Sequence, residues 1–261
     1  MERALIKIHG IVQGVGFRPF IHRLVREFGL KGTIKNTSSG VELELDGEKE
    51  ILEKLVKEIP QRAPALAVIE AMEAQYGLSC AGFESFTILA SKQEAVRNTL
   101  ISPDICICDD CLREMLTRGD RRYHYPFINC TNCGPRFTII KDVPYDRAKT
   151  SMSTFPMCAD CDAEYHDIEN RRYHAQPDAC PACGPVAFFS DAEGNTLAKG
   201  EEAIAKAQAL LKEGKILAVK GLGGMHLACR CDDPSIAREL RRRKQRDEKP
   251  FAIMCRDVAS A

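Results

Sequence analysis

Four pairs of cysteines, arranged as two copies of one unit, constrain this chain more than any other feature. Cys108-x-x-Cys111 and Cys130-x-x-Cys133 recur 50 residues later as Cys158-x-x-Cys161 and Cys180-x-x-Cys183, with 18 residues between the pairs in both copies. Arg121-Arg122-Tyr123-His124 recurs as Arg171-Arg172-Tyr173-His174, and Gly134-Pro135 as Gly184-Pro185. Between Cys108 and Pro135, 12 of 28 positions are identical in the second copy, which marks a duplication. A C-x-x-C turn offers two thiolates to one metal, and a second pair closes a tetrahedral shell. The spacing therefore predicts two structural Zn2+ sites, one on Cys108, Cys111, Cys130 and Cys133, the other on Cys158, Cys161, Cys180 and Cys183. Each zinc can contribute on the order of 10 kcal/mol to a module too small for a sizeable apolar core.

The remaining cysteines do not extend this pattern. Cys106 sits close enough to compete as a ligand, but its counterpart at 156 is Pro. Cys80, Cys229, Cys231 and Cys255 have no partner at metal spacing and are expected to be buried thiols. Eight thiols in metal spacing, without an apolar leader or a membrane-length apolar run, place the chain in the cytoplasm and away from membranes. His124 and His174 are expected to pack or hydrogen-bond, and the paired arginines to form salt bridges between modules.

The spacing also approximates that of a DNA-reading finger, which needs a basic surface beside the metal. The chain has 37 basic and 37 acidic residues. Arg136, Lys141, Arg147 and Lys149 after Cys133 are diluted by Asp142 and Asp146, and no basic residue occurs between Cys183 and Lys199. Nucleic acid is therefore an unfavoured partner. The alternative reading is a zinc-dependent nucleic-acid-binding or scaffold protein whose first domain is inert.

Upstream, Ala4 to His9 alternates as a strand, and Phe17 to Phe28 has helical spacing. Thr33 to Lys35 and Val41 to Leu45 read as a hairpin. Glu48 to Ile59 reads as a helix ended by Pro60. Leu66 to Met72 and Phe83 to Leu89 read as strands. The order βαββαβ predicts a ferredoxin-like sandwich over residues 1–91, followed by a linker over Arg97 to Asp104. The loop Gln13-Gly14-Val15-Gly16-Phe17-Arg18 joins the first strand to the first helix. Glycines expose consecutive N–H groups, and the helix start adds its positive end. Arg18 can grip a phosphate through two parallel hydrogen bonds. The loop is thus an anion cradle, and without G-K-[ST] it is not a nucleotide P-loop.

Residues His9 to Phe20 resemble the acylphosphatase signature. The resemblance implies that the loop and Arg18 bind a phosphoryl group while Asn36 positions the attacking water. The implied chemistry is positioning plus electrostatic stabilisation.

Beyond the cysteine modules (residues 104–150 and 151–190), residues 199–261 carry a net charge of +5. Lys199 to Glu213 and Ser235 to Lys244 read as helices, the latter opened by Asp233 or Pro234. Lys215 to Val219 and Phe251 to Met254 read as buried strands. A glycine-rich turn at Gly221-Leu222-Gly223-Gly224 follows the first strand. The region resembles the start of a YrdC-type ATP-binding domain, which implies nucleotide contacts from Lys220, Lys244, Arg246 and Lys249. The whole is an α+β multidomain chain: acylphosphatase sandwich, two four-Cys modules and an incomplete α/β YrdC-type domain.

In that order, the domains resemble the carbamoyltransferase family of [NiFe]-hydrogenase maturation, whose members are longer. The resemblance implies that this chain corresponds to an N-terminal part, with acylphosphatase activity only. It further implies hydrolysis of carbamoyl phosphate to carbamate, ATP-dependent carbamoyl adenylate formation, and transfer to the C-terminal cysteine of a HypE-type maturation protein to supply cyanide ligands.

Overall fold

The computed structural model describes residues 1–92, 100–221 and 224–260. The expected linker at Arg97 to Asp104 and the turn at Gly221 to Gly224 lie partly outside these residues. The chain divides into two compact units, Met1–Pro185 and Val186–Ala261.

The first unit opens with β1 (Glu2–Ile11), α1 (Phe17–Glu27), β2 (Lys31–Thr37), β3 (Gly40–Gly47), α2 (Lys49–Arg62), β4 (Val68–Leu78) and β5 (Phe86–Ile88). The sheet order is β4-β1-β3-β2-β5. β1 runs antiparallel to β3 and β4, and β5 runs parallel to β2. Alternation in β1 sends Ala4, Ile6 and Ile8 into the core. They meet Phe17, Ile21, Leu24 and Val25 from α1 and Leu52, Leu55 and Ile59 from α2. Burying an aliphatic or aromatic side chain of this kind contributes roughly 1.5–3 kcal/mol, so this core holds the sandwich together. The buried carboxylate of Asp46 accepts N–H bonds from Ala81, Gly82 and Phe83, and so turns the chain from β4 toward β5.

Pro60 does not end α2, which runs on to Arg62. An interior proline forgoes one N–H bond and crowds the carbonyl one turn back, at a cost of about 3 kcal/mol, which burial of Leu52, Leu55 and Ile59 on the same helix outweighs.

The cysteine modules contribute α3 (Asp109–Leu116) and α4 (Ala159–His166), which the cysteine spacing had not disclosed. Each begins on its module's first cysteine, Cys108 or Cys158. The second cysteine of each pair, Cys111 or Cys161, falls in the first turn, where the positive end of the helix favours thiolate. A small apolar cluster of Tyr125, Ile128, Met152 and Ala179 joins the modules around the first quartet. Arg122, Arg136 and Arg172 are also fully buried, and ion pairs and carbonyls compensate their charge.

The second unit contains the hairpin β6 (Phe188–Ser190) and β7 (Thr196–Lys199), then α5 (Gly200–Lys212). The hairpin β8 (Leu217–Lys220) and β9 (Met225–Ala228) follows, and then α6 (Pro234–Lys244). Asp233 caps α6 by accepting the Ser235 N–H, 2.8 Å away. The stretch Phe251 to Met254 is not a strand, and Ile253 and Met254 are exposed. An apolar run becomes a strand only when a neighbouring strand satisfies its backbone, and none among the described residues pairs with it. The expected buried thiols also differ: Cys80 and Cys231 are exposed, and Cys229 and Cys255 are partly exposed. No described helix is long and apolar enough to cross a membrane.

Candidate active site and cysteine clusters

The loop between β1 and α1 turns on Gly14 and Gly16, both left-handed at φ 73° and 74°. Any other residue would be strained there. A side chain at Gly14 would also press on Arg136 Cδ at 3.1 Å and Tyr145 Cε1 at 3.3 Å. Gly16 precedes the first turn of α1, so the loop backbone runs directly into the helix's positive end. A small cavity opens here, lined among others by Gln13, Gly14, Arg18, Arg136, Tyr145 and His174.

The side-chain amide of Gln13 is engaged by backbone groups. Its Nε2 donates to the carbonyls of Thr37 and Gly40 at 2.8 and 2.7 Å, and its Oε1 accepts the Tyr145 N–H at 2.8 Å. It therefore ties the β2–β3 turn to the first cysteine module. Val15 and Phe17 are buried in the core below. Arg18 Nη2 lies 3.2 Å from Asp146 Oδ1. Asn36 donates from Nδ2 to the Tyr145 carbonyl at 3.3 Å, while its buried Oδ1 has no partner. Arg18 and Asn36, from different elements, thus reach consecutive residues of one segment.

That segment comes from the far side of the first module, and the sequence had not marked it. Tyr145 is buried, and burial pushes its phenol up to about 12, so it stays neutral. Arg147 anchors the next position, donating to the carbonyls of Gln176 and Asp178, both at 2.8 Å, and of Phe155 at 2.7 Å. Arg136 supports the loop from below: it donates to Gly14 O, and to the carbonyls of Cys130, Thr131, Cys133 and Pro135 at 2.8–3.1 Å. His174, expected to pack, lines the cavity. Burial first, and the charge of Arg18 second, push its imidazole down to about 3. Its left-handed φ of 53°, shared by His124 at 54°, marks it as a built turn.

Each cysteine quartet brings its sulfurs together, all within 4.8 Å of one another. Cys108–Cys130 and Cys130–Cys133 are 3.7 and 3.8 Å apart, as are Cys158–Cys180 and Cys180–Cys183. A tetrahedral metal with sulfurs at about 2.3 Å separates them by about 3.8 Å, whereas a disulfide would bring them to about 2.05 Å. The donor set and its spacing fit zinc.

The paired arginines exchange partners between modules. Arg121 reaches the Cys161 sulfur at 3.4 Å, and Arg171 reaches Cys111 at 3.1 Å. Arg122 pairs with Glu164 at 2.6 Å and Asp178 at 2.9 Å, while Arg172 pairs with Glu114. Arg122 and Arg172 are buried between the modules, and Arg121 and Arg171 point at the other module's sulfur and carboxylate.

In the second unit, Lys220 ends β8 and Lys244 ends α6. Arg246 donates to the carbonyls of Lys249 and Pro250 at 3.2 and 2.8 Å and stacks over Phe251.

The βαββαβ sandwich with its loop, Arg18 and Asn36 defines an acylphosphatase-class domain, and the family model described as Acylphosphatase matches residues 4–88. The model described as HypF finger matches residues 107–140 and 157–189, and the one described as Telomere recombination matches residues 209–261. Carbamoyltransferase HypF2 of Cupriavidus necator is 48% identical over 260 residues, covering 99% of this chain and 32% of that protein. The acylphosphatase of Thermus thermophilus is 39% identical over 89 residues, 34% of this chain and 99% of that enzyme. The crystal structure of full-length HypF in the phosphate- and nucleotide-bound form superposes with a TM-score of 0.91 at 47% identity, over 99% of this chain and 33% of that one. The chain belongs to the HypF carbamoyltransferase family, and spans about a third of the length of the carbamoyltransferases it matches.

Proposed function

We propose that this chain hydrolyses carbamoyl phosphate to carbamate and phosphate in its acylphosphatase-class domain, as one step of a longer carbamoyltransferase of [NiFe]-hydrogenase maturation. The observation that carries this reading is the convergence of Arg18 and Asn36 on adjacent residues beside a glycine loop and a helix start. Arg18 neutralises the phosphoryl oxygens, and the loop N–H groups with the start of α1 accept the remaining charge. The Tyr145 carbonyl fixes the Asn36 amide through Nδ2. Oδ1 is then the acceptor that takes a hydrogen bond from the attacking water and aims its lone pair in line.

The two cysteine quartets hold structural zinc, and all four positions of each are filled by protein. Zinc supplies no step here; it fixes Arg136, Tyr145 and Asp146 against the loop. Such thiolate sites suit a reducing cytoplasm. In the longer protein, carbamate is adenylated with ATP at the YrdC-type domain, where Lys220, Lys244, Arg246 and Lys249 are the candidate contacts. The carbamoyl group then passes to the terminal cysteine of a HypE-type partner.

Phosphate release from carbamoyl phosphate by this chain, set against Arg18→Ala, tests the first step. A strong loss of turnover in the variant is expected, and equal rates would sink the assignment. Metal analysis should find two zinc ions per chain.

A further inference from the structure

The pairing of Arg18 with Asp146 bears on how the site holds an anion. Asp146 Oδ1 sits 3.2 Å from Arg18 Nη2, with the arginine side chain 9% exposed and the aspartate 29%. Among the described residues, Asp146 is the only carboxylate that ion-pairs with Arg18. Its position is built in from both sides. Tyr145 before it is held by Gln13 at 2.8 Å, and Arg147 after it is held by three carbonyls. The pair is therefore not an incidental meeting of long surface side chains.

A carboxylate oxygen and a phosphoryl oxygen are equivalent acceptors for a guanidinium N–H. Phosphate entering this cavity meets an arginine that already carries an anion, and a fixed negative charge remains beside it. We propose that Asp146 sets the anion affinity of the phosphate site, competing with a phosphoryl oxygen for Arg18 so that binding exchanges one anion for another. An arginine buried beside a helix start without such a competitor would hold inorganic phosphate tightly and slow product release. Asp146 keeps the site turning over. This inference rests on the reading of Arg18 as the phosphate ligand.

The test uses the whole chain, loaded with zinc, and inorganic phosphate as the probe. Phosphate binding is measured by calorimetry, and by product inhibition of carbamoyl phosphate hydrolysis, for wild type, Asp146→Asn, Asp146→Ala, Asp146→Glu and Arg18→Ala. Asp146→Asn keeps an acceptor of the same shape and removes only the charge. It should bind phosphate about three- to fivefold more tightly, the upper range for a partly exposed ion pair, with a lower kcat. Asp146→Ala should shift affinity in the same direction, and Asp146→Glu should stay near wild type. A purely structural role for Asp146 would weaken phosphate binding or leave it alone. Unchanged or weaker binding in whichever charge-removing variant folds, judged by thermal unfolding, overturns the proposal. If Arg18→Ala loses phosphate binding while Asp146→Asn matches wild type, only this inference falls. If Arg18→Ala binds and turns over like wild type, the reading of the site falls with it.

Discussion

In both cysteine modules an eight-residue helix starts on the first cysteine, an arginine pair crosses to the other module, and the last pair is followed by Gly-Pro. From that point the copies part. The first continues into Arg136, which is buried and gathers carbonyls from its own cysteine turn and from Gly14. The second continues into Val186, which is 49% exposed and opens the next compact unit. The segments that follow also differ in what they do. Tyr145 and Asp146 of the first copy close over the glycine loop, whereas the residues 50 positions on belong to the next unit. Before the last cysteine pair the asymmetry reverses. His174 of the second copy lines the cavity, whereas His124 stacks on Tyr123. Duplication supplied a rigid metal-spaced frame twice, and divergence in a few side chains turned one end of it into a wall of the candidate active site.

The harshest way to break this comparison is to remove one ligand. Cys130→Ser should release one zinc ion and cost on the order of 10 kcal/mol of local folding free energy. It should also loosen the second quartet, because Arg171 and Arg172 lose their partners. Metal analysis and thermal unfolding of Cys130→Ser and Cys180→Ser would show two independent modules if each loss left the other quartet's zinc affinity untouched.

A smaller effect is expected from the crossing arginines. Arg122→Ala leaves Asp178 and Glu164 with less compensation in a buried site and should cost about 3–5 kcal/mol in denaturant unfolding. The neighbouring Arg121→Ala, at a more exposed pair, should cost less than about 1 kcal/mol. Equal costs would contradict the placement of the inner arginine as the module's polar core.

The divergent ends offer a direct contrast. Arg136→Ala should destabilise by about 2–4 kcal/mol, since it leaves several buried carbonyls unpaired, and should lower acyl phosphate turnover because Gly14 loses its support. Val186→Ala, on an exposed side chain, should stay within about 0.5 kcal/mol.

The gentlest test is by pH. His174 has a folded pKa of about 3 against an ordinary 6.5, because burial and then Arg18 disfavour its charge. The unfolded chain therefore binds more protons between these values. The stability tied to neutral His174 is complete above pH 6.5 and declines as pH falls toward 3, by up to about 1.4 kcal/mol per pH unit. His174→Asn, which tolerates the left-handed backbone, should remove this part of the pH dependence. Parallel curves for the two proteins over the first units below pH 6.5 would count against the burial of an uncharged imidazole.

Much of this architecture was legible from residue order. Period-two alternation in β1 and helical spacing in α1 and α2 gave the sandwich, because one buried face imposes its period on the chain. The two glycines before Arg18 gave the tight turn into α1, since Gly14 and Gly16 both take left-handed backbone. The cysteine spacing gave two quartets, because tetrahedral thiolate coordination leaves little freedom in a C-x-x-C pair. One miss shows the limit of local reading: the apolar run Phe251 to Met254 resembled a strand, but a strand also needs a partner backbone, which local composition does not report.

Residue order thus settled the features whose physics acts within a few residues: strand and helix periods, the turn at Gly14 and Gly16, and the sulfur quartets. Which groups meet across the molecule came from the packed fold. Asp146 finds Arg18 over 128 positions, and Tyr145 finds Asn36 over 109 and Gln13 over 132. An aspartate amid other charges carries no local mark of its partner. Only the docking of a metal-spaced module onto the sandwich brings its carboxylate to the arginine, and there burial and charge make the pairing count.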